Sequence, residues 1–210
     1  MNYRFIAIEG NIGAGKSTLS NLLAKHYDAR LILEEFADNT FLPKFYQEAD
    51  RYAFPLELSF LADRYKQLKQ TLLNQDLFQQ QVISDYLFTK SKLFARINLK
   101  TDEYELFQRL FDIIDPQLPT PDLLIYLHSP INRLQKNIQE RGRLYEQRIT
   151  DEYLEKVQDV YQQYLKQELH KTLIVDTTHA DFVEIPAHFQ KLVDFLEKDY
   201  DFRSYYLSLD

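Results

Sequence analysis

The segment Gly10-Asn11-Ile12-Gly13-Ala14-Gly15-Lys16-Ser17 constrains this chain more than any other stretch. It reads as a glycine, four residues, then Gly-Lys-Ser, set between the apolar run Phe5–Ile8 and the helical pattern Leu19, Leu22, Leu23. A loop whose amides converge on phosphate oxygens at a helix N-terminus needs glycine wherever φ is positive or a Cβ would block approach. The chain has 4 glycines in 210 residues, where average usage of about 7% would give roughly 15. Three of them, Gly10, Gly13 and Gly15, lie in this loop, and the fourth is Gly142. A tight turn without a ligand explains that concentration poorly. Gly10, Asn11, Ile12, Gly13, Ala14, Gly15, Lys16, Ser17 and Thr18 are therefore expected to hold a nucleoside triphosphate, with Lys16 bridging β- and γ-phosphates and the Ser17 hydroxyl ligating Mg²⁺. The loop identifies a nucleotide, not a reaction.

Around it, five short apolar runs read as buried parallel strands: Phe5–Ile8, Leu31–Leu33, Val82–Ile83, Leu123–Leu127 and Leu173–Val175. Segments with a 3.6-residue apolar period alternate with them, for example Leu58, Leu61, Tyr65, Leu68 and Leu72. Strand alternating with helix predicts an α/β fold with a five-stranded parallel sheet flanked by helices. A chain of 210 residues is expected to form one domain, residues 1–210. Pro116, Pro119 and Pro121 predict a stiff link before the fourth strand, and Pro130 a helix start with Ser129 as N-cap. The acidic, aromatic tail at 197–210 shows no periodicity and is expected to be mobile or packed on a partner.

Charge and composition exclude several classes. The formal net charge of -7 does not suggest binding to polymeric nucleic acid or to an anionic membrane. The chain has no cysteine, which excludes a disulfide scaffold and Cys-based zinc or redox sites, and its 5 histidines show no metal-ligand spacing. The N-terminal residues lack the pattern of a secretory signal, and no apolar run approaches the length of a bilayer span, so a cytoplasmic protein is expected.

The second strand ends in Glu34-Glu35, at the edge of the sheet where ligands of open α/β folds bind. A kinase acting on an already phosphorylated acceptor should carry arginine here. Residues 34–42 instead hold three carboxylates and no cation, which suits a neutral hydroxyl acceptor and a carboxylate base. Either acid could serve. The third strand ends Val82-Ile83-Ser84-Asp85, so Asp85 could bind Mg²⁺ through water or cap the helical segment Tyr86–Ile97. Arg141-Gly142-Arg143 places cations about a glycine hinge, able to close over a transferring phosphoryl group; a capped helix end is the alternative.

In order and spacing these pieces resemble the deoxynucleoside kinase family over most of the chain, together with the helical segment Phe54–Leu68 and the segment Asp176–Phe182. The resemblance implies a P-loop kinase fold with a helical lid at about residues 133–148, and ATP-dependent, Mg²⁺-assisted phosphorylation of a deoxyribonucleoside 5′-hydroxyl for nucleotide salvage. It implies Glu34 as base, Arg141 and Arg143 as the lid cations, Tyr46 and Glu146 on the sugar 3′-hydroxyl, and Asp181 and Phe182 beside the donor adenine. It also implies a homodimer, expected here through residues 53–75 and 87–98.

The chain departs from the family pattern in three places. Asp85 is followed by Tyr86 and Leu87 where relatives carry arginine and serine, and Lys90 is expected to replace that cation. The earlier lid arginine is Asn137 here, with Lys136 or Arg133 as candidates for its charge. Glu57 stands where relatives commonly read the base with glutamine, and Arg64 follows seven residues on along the same helix. An ionised Glu57 accepts only and Arg64 donates, which favours a purine, deoxyguanosine or deoxyadenosine; a Glu57–Arg64 ion pair is the alternative. One of Phe41, Phe45, Tyr52 and Phe60 is expected to stack on the base. A thymidylate-type kinase and a catalytically silent nucleotide-binding subunit are the competing functions.

Overall fold

The computed structural model describes residues 3–34, 39–73, 81–167, 169–198 and 203–209. Glu35, the second of the two candidate acids, and residues 36–38 lie outside them, as do residues 199–202 and 210 of the tail.

The chain runs β1 (Phe5–Gly10), α1 (Lys16–Tyr27), β2 (Arg30–Ile32), α2 (Leu42–Phe45), α3 (Ala49–Leu73) and β3 (Val82–Ser84). It continues through α4 (Lys90–Asn98), α5 (Thr101–Ile114), β4 (Leu123–His128), α6 (Ile131–Arg141) and α7 (Asp151–Leu165), then β5 (Thr172–Asp176), α8 (Pro186–Leu196) and β6 (Ser204–Ser208). The strands form one parallel sheet in the order β2-β3-β1-β4-β5-β6. Its centre is β1. The chain leaves β1 toward β2 and β3 on one side and later fills β4 to β6 on the other, so the order reverses beside β1, the position where open α/β sheets bind ligands.

The alternation of side chains along the strands splits the core. Ile6, Ile8, Ile125, Leu127, Leu173 and Val175 pack with Leu19 and Leu23 of α1 and Leu192 and Leu196 of α8. Phe5, Ala7, Leu124 and Tyr126 face the other way, against Leu93 of α4 and Val157 and Tyr161 of α7. No helix among the described residues is long and apolar enough to cross a membrane.

Three expectations are corrected. The sheet has six strands, not five: β6 lies in the tail expected to be mobile or partner-bound, and it pairs with β5 from Thr172↔Ser204 to Asp176↔Ser208. It escapes notice in the sequence because an edge strand is covered on little of its surface; Leu207 is buried while Tyr205 and Tyr206 stay exposed. Ser129 is not an N-cap. Pro130 occupies that position, and the buried Ser129 hydroxyl bonds to Thr177 Oγ1 instead. The helix after Asp85 begins at Lys90 rather than Tyr86, because Ser84 Oγ bonds Tyr86 O at 2.7 Å and holds residues 84–86 in a turn.

Candidate active site

The carboxyl end of β1 turns through the glycine loop into α1. Gly13 has φ +82°, and a Cβ there would lie 2.8 Å from Leu134 O, so no other residue fits between this loop and α6. Asn137 Nδ2 donates to Gly13 O at 2.7 Å, which shows what the residue at the missing lid arginine does: it fastens α6 to the loop. Asn11 is a second fastener. It is buried, donates to Leu154 O at 2.8 Å, and receives Ile12 N–H at 2.8 Å. Lys16 Nζ rests on the carbonyls of Gly10 and Asn11 at 3.0 and 2.9 Å. Burial, then the nearby Lys90 ammonium, pulls its charge-losing point down to about 8, against the pull of Glu9, Glu34 and Asp85.

Two hollows meet at this loop. One, about 420 Å³, lies among the loop, α6 and residues 177–183. The other, about 110 Å³, lies among α2, α3, α4 and the segment after Gly142. Gly13, Lys16, Ser17, Arg141 and Arg143 line both, so the two hollows adjoin at these residues. The wider hollow takes in Ala14, Gly15, Thr18, Asp181 and Phe182, whereas Ile12 faces the narrower one and Gly10 and Asn11 line neither. Asp181 Oδ1 accepts the amides of Val183 and Glu184, both at 2.9 Å, which hold its carboxyl below the ordinary range. Arg133 also lines the wider hollow, donating to Thr178 O at 2.8 Å and to Ala180 O, while Lys136 sits on the outer face opposite Glu140.

The narrower hollow brings together Glu34, Tyr46, Glu57, Arg64, Asp85 and Glu146, which are spread across more than a hundred residues of sequence. Glu34 follows β2 and is gripped from both sides. Arg64 Nε and Nη2 donate to its Oε1 at 2.8 and 2.6 Å, and Lys90 Nζ to its Oε2 at 2.6 Å. Burial alone would raise Glu34, but the Lys90 ammonium and the Arg64 guanidinium outweigh it and hold the carboxyl far below the usual range. Arg64 is thus turned to Glu34, with Nη1 on Ser91 Oγ at 2.8 Å, and makes no ion pair with Glu57. Glu57 instead receives Asn98 Nδ2 at 2.7 Å.

At the junction, Ser17 Oγ donates to Asp85 Oδ2 at 2.5 Å, and Asp85 Oδ1 accepts Glu34 N–H at 2.7 Å. Two hard oxygen donors on adjoining elements fit a cation that keeps most of its shell in water and phosphate oxygens, as Mg²⁺ does. No cluster of three or more His, Asp or Glu able to hold a metal alone occurs among the described residues. Arg141 and Arg143 both bond to the buried Glu146, the latter at 3.1 Å. Tyr46 stacks on Tyr145 with centroids 6.0 Å apart. Of the four rings considered for base stacking, Phe45 and Phe60 wall the hollow; Phe41 and Tyr52 pack behind them.

Sequence reasoning misses Asn98, Tyr153 and Ser91, since none belongs to a recognisable spacing. It also misses Glu9, whose buried carboxylate accepts Leu87 N–H at 2.6 Å and the Tyr161 hydroxyl at 2.7 Å, fixing the turn that carries Asp85. A lone acid next to the first loop glycine was the available signal.

A family model described as deoxynucleoside kinase matches residues 6–199. Deoxyguanosine kinase of Bacillus subtilis (strain 168) is 36% identical over 194 residues, covering 90% of this chain and 93% of that protein. Deoxyadenosine/deoxycytidine kinase of the same organism is 30% identical over 167 residues, 76% of each. Among solved structures, deoxyadenosine kinase from M. mycoides with bound dATP superposes with a TM-score of 0.79 at 23% identity, over 92% of this chain and 100% of that one, which shows the shared fold.

Proposed function

The chain belongs to the deoxynucleoside kinase family, transferases that phosphorylate a nucleoside hydroxyl, and from that premise we propose that it phosphorylates the 5′-hydroxyl of a purine deoxyribonucleoside with ATP and Mg²⁺. The observation that carries the reading is the state of the cations in the narrower hollow. Lys16 rests on loop carbonyls, Arg64 and Lys90 on Glu34, and Arg141 and Arg143 on Glu146. An acceptor that already bore a phosphate would need one of them unengaged. A neutral nucleoside needs none, and the apolar wall of Phe45, Leu56 and Phe60 suits a base.

The donor triphosphate occupies the wider hollow, with the loop amides and Lys16 on its phosphates and Asp181 and Phe182 near its base. Ser17 and, through water, Asp85 would hold Mg²⁺, which when bound would neutralise negative charge on the phosphates. Tyr46 and Glu146 receive the sugar 3′-hydroxyl, while Arg141 and Arg143, held by Glu146 and lining both hollows, lie beside the transferring group. Glu57 faces the base. Glu34 accepts a hydrogen bond from the 5′-hydroxyl and takes its proton as that oxygen bonds the γ-phosphorus and the bond from the γ-phosphorus to the β,γ-bridging oxygen breaks, ADP leaving. A carboxylate held so strongly ionised is a weak base, so its first task is alignment, which a loose phosphoryl transition state rewards. The working unit is a homodimer in a reducing, cytoplasmic setting.

The test is a panel of the four deoxynucleosides and their ribo forms with ATP and Mg²⁺, products separated. Conversion of purine deoxynucleosides to 5′-monophosphates is expected. Turnover of deoxynucleotides alone would transfer the protein to the monophosphate kinases.

A further inference from the structure

Glu57 Oε2 is buried and meets no hydrogen-bond partner, although Glu57 lines the narrower hollow. Its other oxygen, Oε1, accepts from Asn98 Nδ2 at 2.7 Å. Asn98 closes α4, and its amide oxygen accepts from the Tyr153 hydroxyl of α7 at 3.1 Å. In the structure the donors of this chain all run one way, from Tyr153 through Asn98 to Glu57. A phenol that donates to Asn98 Oδ1 leaves only the NH₂ group to face Glu57, and the Glu57 oxygen that receives that N–H is the one left unprotonated. In that arrangement a proton on Glu57 sits on Oε2, the buried oxygen without a partner.

We propose that Asn98 and Tyr153 are positioning residues for nucleobase choice: by engaging Oε1 they leave the unpartnered Oε2 for a bound base to recruit, a group that donates when Glu57 is protonated and only accepts when it is ionised. The inference rests on the hollow being the nucleoside site. The neutral acid matches the adenine edge, where a ring nitrogen accepts beside an amino donor. The carboxylate matches the guanine edge, where N1–H and the amino group both donate.

The groups facing Glu57 come from every side: Arg64 on its own helix, Lys90 and Asn98 on α4, Tyr153 on α7, Glu34 after β2, and Arg141, Arg143 and Glu146 across the hollow. Burial dominates and lifts the Glu57 carboxyl to about 7, Glu34 adding to the rise while the Asn98 hydrogen bond, Arg64 and Lys90 oppose it. Both forms are then present near neutral pH. If each base uses one form, the ratio of kcat/KM for deoxyguanosine to that for deoxyadenosine follows the ratio of ionised to neutral Glu57, rising about tenfold per pH unit. Titration of Lys16, or of groups common to both reactions, cancels in the ratio.

The experiment measures that ratio for the full chain with ATP and Mg²⁺ from about pH 6 to about pH 8, one unit either side of the raised value. Wild type is expected to gain deoxyguanosine preference by about tenfold per unit, and Glu57→Gln, which cannot titrate, to give a flat ratio. Asn98→Leu removes a hydrogen bond that favours the ionised form, so its profile moves to higher pH, and Tyr153→Phe moves it the same way by less, each acting on KM more than on kcat. A flat wild-type ratio overturns the proposal. So do Asn98→Leu and Tyr153→Phe profiles that superimpose on wild type; Tyr153→Phe removes one oxygen and carries this arm should Asn98→Leu melt early. Absence of monophosphate from both nucleosides would instead overturn the proposed function.

Discussion

Glu34 carries two cations, a contact to Asp85 through its amide, and a place at the mouth of the acceptor hollow, so its substitution separates chemistry from binding. Glu34→Gln keeps the shape but removes the charge that holds Arg64 and Lys90 as well as the proton acceptor, so alignment and proton transfer both suffer; kcat is expected to fall by about 10² to 10⁴ with nucleoside affinity retained, measured by steady-state kinetics beside calorimetric binding. Turnover close to wild type would move the role to another group. Lys90 tests the replacement of the family's missing arginine, because its ammonium lies 2.6 Å from Glu34 Oε2. Lys90→Met leaves a buried carboxylate with one cation in place of two, and turnover is expected to drop by at least about tenfold, a change of about 1.4 kcal/mol in the barrier. An unchanged rate would show that Arg64 suffices.

At the scale of elements, α6 stops at Gly142, which has φ +70° with open space where a Cβ would be. Gly142→Ala therefore meets no clash, only the left-handed backbone cost of about 1 kcal/mol. The expected result is a lower kcat with a melting temperature within a few degrees of wild type, since the strain falls on the joint between Arg141 and Arg143, the proposed lid cations; intact kcat would show that the joint does not move in turnover. Strand β6 offers the opposite case. Leu207 is buried against the core and lines neither hollow. Leu207→Ala is expected to cost about 2 to 4 kcal/mol, lowering the melting temperature by about 2–4 °C per kcal/mol, while kcat of the folded protein is kept. A melting curve that does not shift would mean that β6 contributes little to the sheet.

For the whole molecule, assembly depends on which apolar surfaces the chain leaves uncovered. Helix α5 turns Phe107 and Phe111 inward onto Leu61 and Leu68 of α3 and Ala95 of α4, so parts of the helices first expected to form a dimer are engaged within the chain. Outward, Leu106, Leu110 and Ile113 follow one another at helical spacing with exposures of 41, 37 and 67%, an apolar row that a monomer would leave in water. A contact of the proposed homodimer at this row would cover it. Changing Leu110 and Ile113 together to Glu is expected to give a monomer by sedimentation equilibrium with the fold intact. The mass of a dimer in that variant would remove α5 from the interface.

The phosphate loop, the acid after β2, the acid after β3 and the Arg141-Gly142-Arg143 turn were legible because each is a short-range pattern: a loop that wraps phosphate, or an acid closing an apolar strand, needs its residue types at fixed separations. Five strands were legible for the same reason, as buried strands must be apolar along their length. Tertiary structure alone decided the pairings. Arg64 and Glu57 share a helix, yet Arg64 turns to Glu34 and Glu57 to Asn98. Ser129 leaves a cap position for Thr177, and the tail strand is defined by β5 rather than by its own composition. A buried charge takes whichever partner the packing of distant elements brings within about 3 Å, and separation along the chain carries no trace of that distance.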